Sequence, residues 1–192
     1  MILNDRQIIE LAEQGMITPF DHRQVREISC IETFDYVPAI SRGVTSFGYD
    51  FPLSDREFKV CKFCPGVVLD PKAAGFSKHL APATFGSDTS GAYVILPGNT
   101  WGLGVLTPRL EIPQDVTVHF LGKSTYARIG ILFNVTPAEP GWRGHLTVEI
   151  ANLGPNPARV YLGEGICQGV FFRGERPHTT YADRNGKYQD QR

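Results

Sequence analysis

From about residue 44 to residue 172, short apolar runs are cut apart by glycine, proline, asparagine and aspartate, a punctuation that suits strands and leaves no room for long helices. Strands are predicted at 58–61, 93–96, 116–121, 131–135, 145–150, 159–162 and 169–172. Their dense spacing favours a barrel or compact sandwich over βαβ units, which need a helix between successive strands. The 20 glycines and 14 prolines supply the turns. One helix is predicted near the N-terminus: Asn4 can cap it with Gln7 three residues on, Ile8, Leu11 and Ala12 share an apolar face, and Gly15 is a natural stop. A chain of 192 residues can bury one sizeable core, so a single domain over 1–192 is expected.

Two segments stand outside the strand pattern. Residues 72–91 show no clear period and hold several breakers, so they read as a long loop or insertion. Residues 173–192 are strongly polar, with Arg176, Arg184 and Lys187 beside Tyr181 and Tyr188, and suit either a solvated end or a flap ordered by ligand.

The formal net charge of −1 gives no general attraction for nucleic acid, so an anionic ligand must be met by a local basic cluster and should be small. The N-terminus lacks a basic segment followed by an apolar core, and no run reaches the roughly 18 apolar residues of a membrane span. With Cys30, Cys61, Cys64 and Cys167 read as reduced thiols, a cytoplasmic protein without membrane or nucleic-acid partners is expected.

In HLTVEI, period-two alternation places His145, Thr147 and Glu149 on one face of a strand and Leu146, Val148 and Ile150 on the other. If the apolar face enters the core, Glu149 points away from it, as a surface charge or a working acid/base. Gly122-Lys123-Ser124-Thr125-Tyr126-Ala127-Arg128 joins two hydroxyls and two cations at a strand end where a short helix can open, which suits a polyphosphate or an ordinary strand-to-helix turn. It is not a Walker A loop, because Thr117 stands where that motif needs glycine. Cys61-Lys62-Phe63-Cys64 has the spacing of half a zinc site without a second pair, so structural or incidental cysteines are the simpler reading. His22, His79, His119 and His178 are scattered; His145 shares Glu149's face.

Taken in order, GKSTYARIGI at 122–131, NVTPAEPGWRGHLTVEIAN at 134–152, EGICQGVFF at 164–172 and YADRNGKYQDQ at 181–191 resemble the successive motifs of dCTP deaminases, with weaker likeness in TSFGYD at 45–50 and VVLDPK at 67–72. The resemblance implies a mainly β fold, a distorted jelly-roll or β-barrel of the dUTPase-like type with a short N-terminal helix. It also implies a homotrimer with active sites between subunits and a lid formed by 173–192. On this likeness Lys123, Ser124 and Thr125 hold phosphates, Ser124 and Arg128 lie by the catalytic centre, and Glu149 is the general base and acid. Thr147 and Val148 accompany Glu149 in contacting nucleotide, as do Gln168, Tyr181, Lys187 and Gln191. The backbone of Thr136 and Pro137 meets the cytosine edge and the water.

The implied reaction is dCTP + water → dUTP + ammonia, feeding deoxyuridine nucleotides to thymidylate supply, with dTTP as an inhibitor. Mg²⁺ is expected on the triphosphate, and zinc is not: Val60 precedes Cys61 where zinc deaminases carry P-C-x-x-C, and no histidine has glutamate two positions on. Alternatives are dUTP diphosphatase, alone or combined with deamination and using Glu139 to position water, a deaminase for a modified dCTP, or a catalytically silent nucleotide-binding regulatory trimer.

Overall fold

The structure is a computed structural model that describes residues 1–29, 35–72 and 75–191. Cys30, residues 73–74 of the 72–91 segment and the terminal Arg192 lie outside the described residues. In chain order the elements are α1 (Asp5–Glu13), β1 (Ile17–Thr18), β2 (Val25–Ser29), β3 (Tyr36–Thr45), β4 (Gly48–Cys61), β5 (Leu80–Pro82), β6 (Thr84–Asp88), β7 (Gly91–Leu96) and β8 (Thr100–Glu111). They continue with β9 (Val116–Gly122), α2 (Ser124–Ala127), β10 (Ile131–Asn134), β11 (Arg143–Asn152), β12 (Ala158–Tyr161) and β13 (Gly165–Arg173). The chain is mainly β, with a short N-terminal helix, as expected.

The principal sheet runs β10-β11-β8-β4-β13-β9, and every pairing along it is antiparallel. β1 pairs with β8, and β3 and β5 pair with different parts of β4. A second sheet is ordered β12-β7-β6. The large sheet curls until its end strands touch, with Gly122 of β9 packed against Phe133 of β10 by close approach and without strand pairing. Phe51, Leu53, Phe58, Leu106, Ile150 and Phe171 fill the interior with almost no exposure, the hydrophobic burial that holds the curl together.

α1 forms as its sequence dictates. Asn4 accepts from the Gln7 amide and Gln7 accepts from the Asn4 amide, both at 3.1 Å, and Ile8, Leu11 and Ala12 are buried. β11 likewise keeps its predicted alternation, with Leu146, Val148 and Ile150 buried and Glu149 on the open face.

β8 is absent from the predicted strands and lies between β4 and β11. Gly102, Gly104 and Pro108 read locally as breakers, yet the two glycines are what the packing requires. A Cβ on Gly102 would stand 2.4 Å from Phe58 Cε1, and one on Gly104 would stand 2.7 Å from Leu53 Cδ1. The proline falls where the β8–β11 register shifts, a break in the ladder that can accept a residue without an N–H. β2 and β3 also precede the stretch in which strands were expected. The reading of 72–91 as a long loop is corrected in part: Leu80–Pro82 and Thr84–Asp88 are strands, the second closing a tight hairpin onto β7.

Candidate active site

Glu149 gains its position from β11, whose neighbours β10 and β8 place Asn134 and Leu103 directly opposite it. Beside it opens a cavity of about 490 Å³, lined among others by Trp101, Leu103, Thr136, Pro137, Glu139 and Trp142. Thr147, Tyr181, Tyr188 and Gln191 complete the side nearest the C-terminal tail. Glu149 stays open to the cavity mouth, but the surrounding protein withdraws it partly from water and raises its pKa above the ordinary glutamate value; a hydrogen bond to its own backbone opposes that shift. Nearby positive charge is not among the causes, so within the chain burial decides the direction.

The tail covers this cavity by extensive backbone bonding. The Tyr181 amide donates to Pro140 O at 2.9 Å, the Asp190 amide to Arg143 O at 2.9 Å, and the His145 amide to Gln191 O at 2.8 Å. Trp142 Nε1 donates to Tyr188 O at 3.0 Å, and the Tyr188 amide donates to the Tyr181 hydroxyl at 2.9 Å. Arg143 pairs with Asp190 at 2.8 Å, and Arg184 pairs with Glu139. Gly144 makes the final approach possible: at φ +138 it runs beside Gln191, and a Cβ there would lie 2.8 Å from the Gln191 amide nitrogen.

Of the expected site residues, Thr136, Pro137, Thr147, Glu149, Tyr181 and Gln191 line the cavity together. Lys187 sits beside it, its ammonium 5.2 Å from the centre of the Tyr188 ring. The Val148 side chain is fully buried on the core face of β11, as its alternation with Thr147 and Glu149 requires. His145 does not line the cavity.

The phosphate-type residues lie elsewhere on the chain. Lys123 and Thr125 line a second cavity, of about 720 Å³, with Arg26, Ser41 and Glu164. The Lys123 ammonium donates to Asp50 Oδ2 at 2.7 Å, Ser41 O at 2.7 Å and Ser41 Oγ at 2.8 Å, so it anchors β3 and β4 to the start of α2. Ser124 and Arg128 are exposed on α2 and its end. Gln168 is on β13, donating to Thr45 Oγ1 at 3.1 Å. The chain therefore presents the expected site residues in two separated groups.

Sequence reasoning missed Trp101, Leu103, Asn134 and Val135 as cavity residues and did not assign Trp142 or Tyr188 to the site. The aromatic residues beside the HLTVEI and tail motifs were the available signal; only strand pairing brings Trp101 to them. Among the described residues that line the cavity there is no histidine or cysteine, and the carboxylates are those of Glu139 and Glu149.

The dCTP deaminase-like family model matches residues 2–174. A dCTP deaminase from Acidobacterium capsulatum is 44% identical over 191 residues, covering 99% of this chain and 94% of that protein. One from Granulibacter bethesdensis is 44% identical over 193 residues, covering 100% of this chain and 95% of that protein. Among solved structures, 2'-deoxycytidine 5'-triphosphate deaminase from Agrobacterium tumefaciens superposes with a TM-score of 0.54 at 19% identity, over 90% of this chain and 48% of that one.

Proposed function

Because this chain belongs to the dCTP deaminase-like family, we propose that it hydrolyses dCTP to dUTP and ammonia, with Glu149 as the group that moves the protons. The observation that carries this reading is a half-enclosed glutamate, its pKa raised by burial, on the wall of a nucleoside-sized cavity. Ionised Glu149 takes a proton from water, and the hydroxide attacks C4 of cytosine. The carboxylic acid returns that proton to N3. It then takes the proton of the new C4 hydroxyl and passes it to the departing amine, so ammonia leaves and a uracil ring remains.

The other residues act by holding the base in reach. Thr136 and Pro137 line the cavity, and in this reading their backbone carbonyls meet the cytosine edge and the water, while Trp101, Trp142 and Tyr181 offer flat apolar surfaces. Gln191, Tyr181 and Lys187 belong to a lid that excludes water from everything except the attacking site. Ser124, Thr125 and Arg128 serve phosphates and the catalytic centre of an adjoining subunit in a homotrimer, with Lys123 fixing their segment through Asp50. Gln168, beside Thr45, belongs to the same shared region.

Bound with the nucleotide, Mg²⁺ would neutralise charge on the triphosphate. The zinc-free reading rests on the missing P-C-x-x-C motif and on the cavity's donor set. The sequence contains the C-x-E half of the zinc signature once, at Cys30-Ile31-Glu32, outside the described residues. Among the described residues no helix is long and apolar enough to cross a membrane; the proposal includes a cytoplasmic role supplying dUTP for thymidylate synthesis, with dTTP as inhibitor.

Glu139 keeps a diphosphatase reading in view, because it reaches the same cavity. Its pairing with Arg184 favours a role in holding the tail. Incubation with dCTP and Mg²⁺, followed for both ammonia and pyrophosphate, separates these functions. Ammonia and dUTP without pyrophosphate are expected; binding without either product would leave a regulatory protein, and pyrophosphate from added dUTP would establish the second activity.

A further inference from the structure

The function above makes no use of Cys61 and Cys64, although the fold brings both to one cavity. That cavity, about 460 Å³, is lined by Cys61, Cys64, Leu69, Asn99, Thr100 and Trp101, among others. Both cysteines are free and only partly buried. Cys61 ends β4, where the next amide, that of Lys62, donates to His79 O at 2.7 Å. Cys64 begins the turn Cys64-Pro65-Gly66-Val67, closed by the Val67 amide on Cys64 O at 3.2 Å. The two thiols are therefore held at either side of a two-residue link, and burial, then the neighbouring Cys64, push the Cys61 thiol above its ordinary pKa.

The same cavity shares a wall with the Glu149 site. Trp101 lines both. Thr100 Oγ1 donates to the Cys61 carbonyl at 3.2 Å. Val60 pairs with Gly102 on β8, and Leu103 pairs with Glu149 on β11, so three adjacent strands connect the thiols to the carboxylate.

We propose that Cys61 and Cys64 form a redox-modification site, closed to a disulfide by a low-molecular-weight disulfide such as oxidised glutathione, and that closure alters nucleotide binding through Thr100 and Trp101. One protein thiolate attacks a sulfur of the oxidant, forming a mixed disulfide and expelling one thiolate. The second cysteine, as thiolate, attacks the protein-bound sulfur and expels the other. The protein loses two electrons and two protons; the oxidant is reduced and, with those protons, becomes two thiols. The closed link draws the 62–67 turn across the cavity wall that Trp101 shares.

The test uses the full chain treated with oxidised glutathione, alkylated and digested with trypsin. Cleavage after Lys62 separates Cys61 from Cys64, so the disulfide appears as a cross-linked peptide pair that dithiothreitol releases. Tryptophan emission is expected to shift on oxidation, and KM for dCTP to change by about two- to thirtyfold, the scale of coupling through a packed network. Cys64→Ser, and independently Cys61→Ser, should keep the reduced-state emission and KM under both conditions. Absence of the cross-link, or a cross-link that moves neither emission nor KM, overturns the proposal. The KM arm rests on the deaminase reading; if that reading fails, the enzyme is silent in both redox states while cross-link and emission still decide the inference.

Discussion

In the proposed reaction Glu149 is ionised to activate water and protonated to release the amine, and its raised pKa brings those two states closer in energy near neutral pH. The acid limb of kcat/KM should therefore fall at a pH above the ordinary glutamate value, as measured by steady-state deamination across pH. Glu149→Gln should lower kcat by about a hundred- to ten-thousandfold, the usual scale for a positioned acid/base. Its stability should move the other way. A carboxylate whose folded pKa lies above its unfolded value opposes folding once ionised, and contributes nothing below the unfolded pKa, where both states are protonated. The Gln variant should thus melt at or above wild type near pH 8, and the difference should vanish near pH 4 in thermal scans.

At the level of elements, β8 and the tail divide stability from function. Gly102 faces Phe58 and the Lys59 carbonyl at distances that leave no room for a methyl group. Gly102→Ala should cost about 1–3 kcal/mol through overpacking in the strand that joins β4 to β11. In thermal unfolding that corresponds to a fall in Tm of roughly 2–12 °C for a chain of this size. The tail beyond β13 contributes few of the fully buried side chains but covers the cavity through Tyr181, Tyr188 and Gln191. Deleting residues 175–192 should leave Tm nearly unchanged while raising KM for dCTP by about tenfold or more, equivalent to roughly 1.4 kcal/mol of binding. A truncated enzyme with unaltered KM would show that the tail does not act as a lid.

For the whole molecule, the chain keeps Glu149 in one cavity and exposes Ser124, Thr125 and Arg128 away from it. Around that second region, Leu121, Ile129, Leu132 and Leu153 are 53–65% exposed, an apolar surface suited to burial between copies. If sites are completed between subunits, inactive Glu149→Gln and Arg128→Ala chains should complement each other. Mixed by unfolding and refolding in equal amounts, they should regain about a quarter of the wild-type rate, since in a cyclic assembly that fraction of interfaces pairs two intact halves. Light scattering should report a trimer. A monomer that stays active on dilution, or mixtures that stay dead, would rule out the shared site.

Much of this was legible along the chain because it depends on neighbours in sequence. The Asn4–Gln7 capping box reports a helix start within four residues, and alternation in HLTVEI assigns Glu149 to the face opposite the core. The ordered motifs likewise pointed to the family, because their spacing survives without coordinates. β8 was hidden because glycine has low strand preference alone, and its value at 102 and 104 appears only when Phe58 arrives from β4. Trp101's place beside Glu149, the Lys123–Asp50 anchor and the tail's docking on Gly144 all rest on contacts across strands or long loops. Local chemistry determined which residues could act; the pairing of distant strands decided which of them share a cavity.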